Sequence, residues 1–82
     1  MVIAVVEGSD ENGEAILTQR NRFSSGEELE LLTKDGPPIS FRADNLRDES
    51  GAPIPEAKHP MMRLRLRLPI PAQRLSILRK PV

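Results

Sequence analysis

The chain has 82 residues, with 12 basic and 12 acidic side chains, two Phe, and no Cys, Trp or Tyr. A chain of this length fits one domain with a modest core. The lack of Cys excludes a disulfide framework, a thiolate nucleophile and thiolate metal ligands, and so few aromatics leave little to stack on single-stranded bases. The zero net charge hides a split: residues 1–57 carry all 12 acids against five bases, whereas residues 58–82 carry seven bases and no acid. Such a split marks either a nucleic-acid-binding end or two sheet halves that neutralise each other. A signal peptide and an apolar run of membrane-spanning length are both lacking, so no membrane partner and a cytoplasmic location are expected.

Val2-Ile3-Ala4-Val5-Val6 is β-branched and predicts a strand. Gly8 to Gly13 is polar and closes on Asn12-Gly13, a hairpin signal because both residues accept positive φ. Glu14 to Arg20 is the returning strand, in which Ile16 and Leu17 compete for the inward position. Asn21 to Gly26 is a connection plugged by Phe23. Glu28-Leu29-Glu30-Leu31 alternates with period two, which turns the leucines in and the glutamates out.

Lys34-Asp35-Gly36-Pro37-Pro38 is a second hairpin turn, followed by a strand over Ile39 to Arg42 with Ile39 and Phe41 on one face. Ala43 to Asp48 predicts a helical turn anchored by Leu46, and Ser50-Gly51 a third turn. Pro53, Pro55 and Pro60 make the next stretch extended and poor in ladder bonds, since proline has no N–H.

Met62-Arg63-Leu64-Arg65-Leu66-Arg67-Leu68 alternates strictly, giving a strand with an aliphatic face and a cationic face. As a helix, its leucines would scatter around the axis. Pro69 and Pro71 end it, and Leu75 to Leu78 predicts a last strand with Leu75 and Ile77 inward. Six to seven short strands punctuated by turn signals predict an all-β fold, a small antiparallel barrel or sandwich spanning residues 1–82 as a single domain. Closure into a β-barrel is the expected form, because it removes exposed edges. The expected core is Ile3, Val5, Leu17, Phe23, Leu29, Leu31, Ile39, Phe41, Leu46, Met62, Leu64, Leu66 and Leu68.

Asn21-Arg22-Phe23-Ser24-Ser25-Gly26-Glu27-Glu28-Leu29-Glu30 resembles the Asn-Lys/Arg-Phe-x-x-Gly-Asp/Glu-x-Ile/Leu-Glu signature of a C-terminal β-barrel domain appended to collagenase-like peptidases of family U32. The similarity continues through the Asp-Gly hairpin, Asp48-Glu49-Ser50-Gly51, Pro53-Ile54, His59-Pro60 before an aliphatic strand, and Ile77-Leu78-Arg79. The resemblance implies a barrel similar in style to the second domain of translation elongation factors. It also implies a non-catalytic accessory domain of a larger protein, positioning RNA or protein substrate for an N-terminal catalytic domain. Several proteins of the family act in tRNA or rRNA hydroxylation, so tRNA or rRNA is an implied partner. The family's catalytic apparatus lies in the other domain, so no catalytic role carries over to this chain. The Arg63, Arg65 and Arg67 strand is richer in arginine than the usual family version.

Arg63, Arg65 and Arg67 are the candidate nucleic-acid-binding residues, because an arginine fork suits phosphate. The competing reading pairs them across strands with Glu28, Glu30 or Glu14. His59 with Ser24 or Ser25 and Asp44 or Asp48 makes a triad only on paper, without a nucleophile-elbow pattern. Asp10, Glu11 and Glu14 lack calcium-loop spacing and predict a solvated hairpin tip. Gly26 before Glu27 fits a turn needing positive φ better than a phosphate loop. No catalytic residue, metal or cofactor is expected. Three functions compete: an RNA-binding accessory module, a structural or protein-interaction barrel, and a freestanding hydrolase.

Overall fold

The computed structural model describes residues 1–59 and 61–81, so Pro60, one of the three ladder-breaking prolines, lies outside the described residues. The strands are β1 (Val2–Ser9), β2 (Ala15–Gln19), β3 (Phe23–Ser24), β4 (Glu28–Leu32), β5 (Ile39–Arg42), β6 (Arg47–Asp48), β7 (Glu56–Ala57), β8 (Arg63–Leu66) and β9 (Ile77–Arg79). Seven form one antiparallel sheet in the order β5-β4-β9-β1-β2-β8-β6, and β3 pairs with β7 in a separate ribbon. The sheet curls as a half-barrel whose two edges are β5 and β6. Among the described residues there is no helix, so none is long and apolar enough to cross a membrane.

The alternating strands bury one face, as their period requires. Leu64 and Leu66 of β8 are fully buried, opposite Leu17 and Ala15 of β2. Leu29 and Leu31 of β4 meet Phe41 and Ile39 of β5. The β3–β7 ribbon adds Phe23 and Ala57 to the same core, and Leu46 joins it from the turn before β6. Met62 and Leu68 pack against it half-buried.

Four expectations need correction. Val5 faces outward and Val6 inward, because the β1–β9 register slips between Val2 and Ala4 and Ile3 and Ala4 are both buried. Such a bulge reverses the facing of everything beyond it. The last strand begins at Ile77 rather than Leu75: Leu75 has φ 72° and is 64% exposed, and Leu78 takes the inward position. Ala43 to Asp48 forms no helical turn, because Asn45 adopts φ 59° and stops any right-handed helix there. Leu46 still anchors the segment. Finally, the hairpin tip is not fully solvated: Glu14 is 3% exposed and the Asp10 side chain 7%.

Candidate functional site

Arg63 and Arg65 occupy the outer face of β8, and Arg67 follows directly after it. The neighbours of β8 are β2 and β6, whereas Glu28 and Glu30 lie on β4, with β9, β1 and β2 intervening. At about 4.8 Å per strand, four spacings separate β4 from β8 along the sheet. Glu30 instead holds Arg79 directly across the β4–β9 ladder, Oε1 to Nε at 2.9 Å. Glu14 holds Arg47, the residue opposite Arg65 in the β6–β8 ladder. Glu27 holds Lys80 at 3.1 Å.

The three arginines meet different surroundings. Arg65 donates from Nη1 to Asp10 Oδ2 at 3.2 Å. The other Asp10 oxygen accepts the N–H groups of Asn12 and Glu14, so one carboxylate ties the β1–β2 turn to β8. Arg63 is exposed and shares a shallow hollow with Asp48 and Glu49. Arg67 lies just beyond β8, exposed, in a groove of about 330 Å³ lined also by Glu14, Phe41, Asp44 and Leu68. The row is thus one neutralised arginine between two exposed ones.

A second cationic group emerges that the sequence did not single out. Arg20, Arg22 and Lys58 line one depression with Gln19 and Asn21, and all three cations are exposed. Its floor is organised by Gln19, which is 1% exposed. The Gln19 backbone N–H donates to Met62 O at 2.8 Å, and its C=O accepts from Met61 N at 3.0 Å. Its side-chain Nε2 donates to Ala57 O at 2.8 Å and to Asn21 O at 3.2 Å. One buried glutamine therefore ties the end of β2 to the loop after β7, placing Arg20 beside Lys58.

Among the described residues, no hydrogen bond joins the serine, histidine and aspartate of the paper triad. Ser25 Oγ donates to Ala43 O at 3.5 Å, the Ser24 N–H donates to Glu27, and exposed His59 accepts Met62 N–H through its own backbone carbonyl. The Ser24 N–H, followed by Lys80, holds the Glu27 carboxyl below its ordinary range. The Ser50 hydroxyl, followed by the Ala52 N–H, does the same for Asp48. Among the described residues, no three His, Asp or Glu side chains converge as metal ligands. Gly26 has φ 87°, as its turn requires.

The model for the peptidase family U32 C-terminal domain matches residues 1–79. The chain belongs to this family. Two solved structures share the fold, both of the C-terminal domain of a Geobacillus thermoleovorans protein assigned to the U32 peptidases. Each is 27% identical with TM-score 0.88 over 98% of this chain; the selenomethionine form is covered over 99% of its length and the other over 91%. No curated protein matches the chain. In this U32 C-terminal domain, three ion pairs join the acidic and basic halves of the sequence: Asp10–Arg65, Glu30–Arg79 and Glu27–Lys80.

Proposed function

We propose that this U32 C-terminal domain is a non-catalytic accessory domain that positions RNA or protein substrate for a separate, N-terminal catalytic domain in the cytoplasm. The whole-chain match to a family defined as the C-terminal part of a peptidase carries this reading. The internal chemistry supports it: Asp10, Glu14, Glu27 and Glu30 are each engaged with a structural cation, and Ser24, Ser25 and His59 serve turns and loops. Exposed Arg63 and Arg67 are the part of the arginine row open to a phosphate backbone.

The isolated chain tests the non-catalytic half of the proposal. Incubated with peptide and ester substrates, it is expected to turn over neither. Turnover that disappears on His59→Ala would contradict it.

A further inference from the structure

We infer that the depression ringed by Arg20, Asn21, Arg22 and Lys58 binds the sugar–phosphate backbone of RNA. This deepens the accessory reading and rests on its RNA branch. The depression measures about 150 Å³, which suits one phosphate or sugar rather than the larger pocket of a complete small ligand.

Charge singles it out. Of the three cations, only Arg22 has a carboxylate partner among the described residues, Glu56 at 3.9 Å, and an exposed pair of this kind is weak and screened. No acid lines the depression. Every arginine of the β8 row, by contrast, has acids at hand: Asp48 and Glu49 beside Arg63, Asp10 on Arg65, Glu14 and Asp44 beside Arg67. A phosphate arriving at the row meets carboxylates beside every arginine, whereas one arriving at the depression meets walls without an acid and a single carboxylate, Glu56, beside Arg22. Two arginine forks and an ammonium suit a phosphodiester.

The cluster is also held in place. Arg20 and Lys58 stand far apart in sequence, and buried Gln19 bonds the two segments that carry them. The Gln19 amide has one orientation, since its NH2 must face the carbonyls of Asn21 and Ala57. Less rearrangement is then needed on binding.

The ligand class follows from what surrounds the cations. No aromatic lines the depression, so recognition there rests on the backbone and is independent of sequence. Asn21 Nδ2 donates to Val2 O at 2.6 Å, which leaves its Oδ1 as an acceptor at the rim. A phosphodiester has no hydrogen to offer it, whereas a ribose 2′-hydroxyl does. This favours RNA over DNA.

The test is fluorescence anisotropy of a labelled single-stranded RNA oligonucleotide, titrated with the chain at 50 and 200 mM salt. Three contacts predict a logarithmic salt slope of about −2, hence roughly 16-fold weaker binding at the higher salt. An Arg20→Ala/Arg22→Ala/Lys58→Ala variant, checked for an unchanged melting temperature, is expected to bind at least about tenfold more weakly at 50 mM. Arg63→Ala/Arg67→Ala is expected to weaken binding less than the triple variant does, because those arginines already have carboxylates beside them, and a DNA oligonucleotide of the same sequence is expected to bind more weakly than RNA. Loss in the arginine-row variant with retention in the triple variant would overturn the site and leave the RNA reading standing. Equal affinity for DNA would overturn the assignment to RNA. An absence of RNA binding by the parent chain would remove both the site and the RNA branch, while the protein-positioning branch would survive.

Discussion

The Arg65 guanidinium lies 3.2 Å from Asp10, 55 positions earlier in the chain. This contact splits the arginine row and fixes the β1–β2 hairpin at once, because Asp10 also caps the turn through the N–H groups of Asn12 and Glu14. The two roles separate by substitution. Asp10→Asn keeps an acceptor for the turn and loses the charge, and is expected to cost under about 1 kcal/mol, since Arg65 is partly solvated. Asp10→Ala loses both and is expected to cost about 1–3 kcal/mol. Urea unfolding of the two variants checks the order.

The Glu14–Arg47 pair is more deeply set, with Glu14 side-chain exposure at 4%. Arg47→Ala leaves a buried carboxylate without its cation and is expected to cost about 2–4 kcal/mol, the upper end tempered by the partial exposure of Arg47. The double variant Glu14→Gln/Arg47→Met is expected to be milder than Arg47→Ala alone, because no uncompensated charge remains. Denaturant midpoints of the single and double variants measure this. A double variant less stable than the single would contradict it.

Leu66 is fully buried, and Leu66→Ala is expected to cost about 2–5 kcal/mol. The β1 bulge makes a sharper contrast. Val6→Ala removes buried methyls and is expected to lower stability by about 1–3 kcal/mol, whereas Val5→Ala on the outer face is expected to cost less than half as much. Thermal melts of the pair report which valine faces the core.

Glu27 and Asp48 are both held below their ordinary carboxyl values of 4.5 and 3.8. For a carboxyl group lowered by folding, the stabilisation is complete above the unfolded value and is lost as pH falls through the folded one. Unfolding midpoints are therefore expected to be unchanged by these two groups between pH 7 and pH 5 and to drop towards pH 3. Glu27→Gln is expected to make that acid limb shallower. An acid limb unchanged in the variant would count against the Ser24 contact.

The period-two pattern made Leu29, Leu31, Leu64 and Leu66 legible as inward residues, because the pleat leaves an alternating strand little choice when one face is buried. Turn chemistry marked Gly13, Gly26 and Gly51, all at positive φ. The bulge near Ile3 carries no residue signature, so Val5 and Val6 were exchanged. Leu75 in the left-handed region is foreign to its residue type, and nothing local predicts it. Glu14 reads as a tip residue until Arg47 is placed beside it. The Arg20, Arg22 and Lys58 cluster is hardest to see: its members come from separate segments, and only the hydrogen bonds of Gln19 bring them together.

The central claim is that this domain positions substrate and does not transform it. Steady-state kinetics of a U32 family protein carrying this domain, compared with the same protein lacking it, tests the claim most directly. The expected result is a KM raised by about tenfold with kcat largely retained, the signature of lost substrate binding remote from the reacting atoms. An unchanged KM, or a kcat abolished with KM intact, would contradict the account.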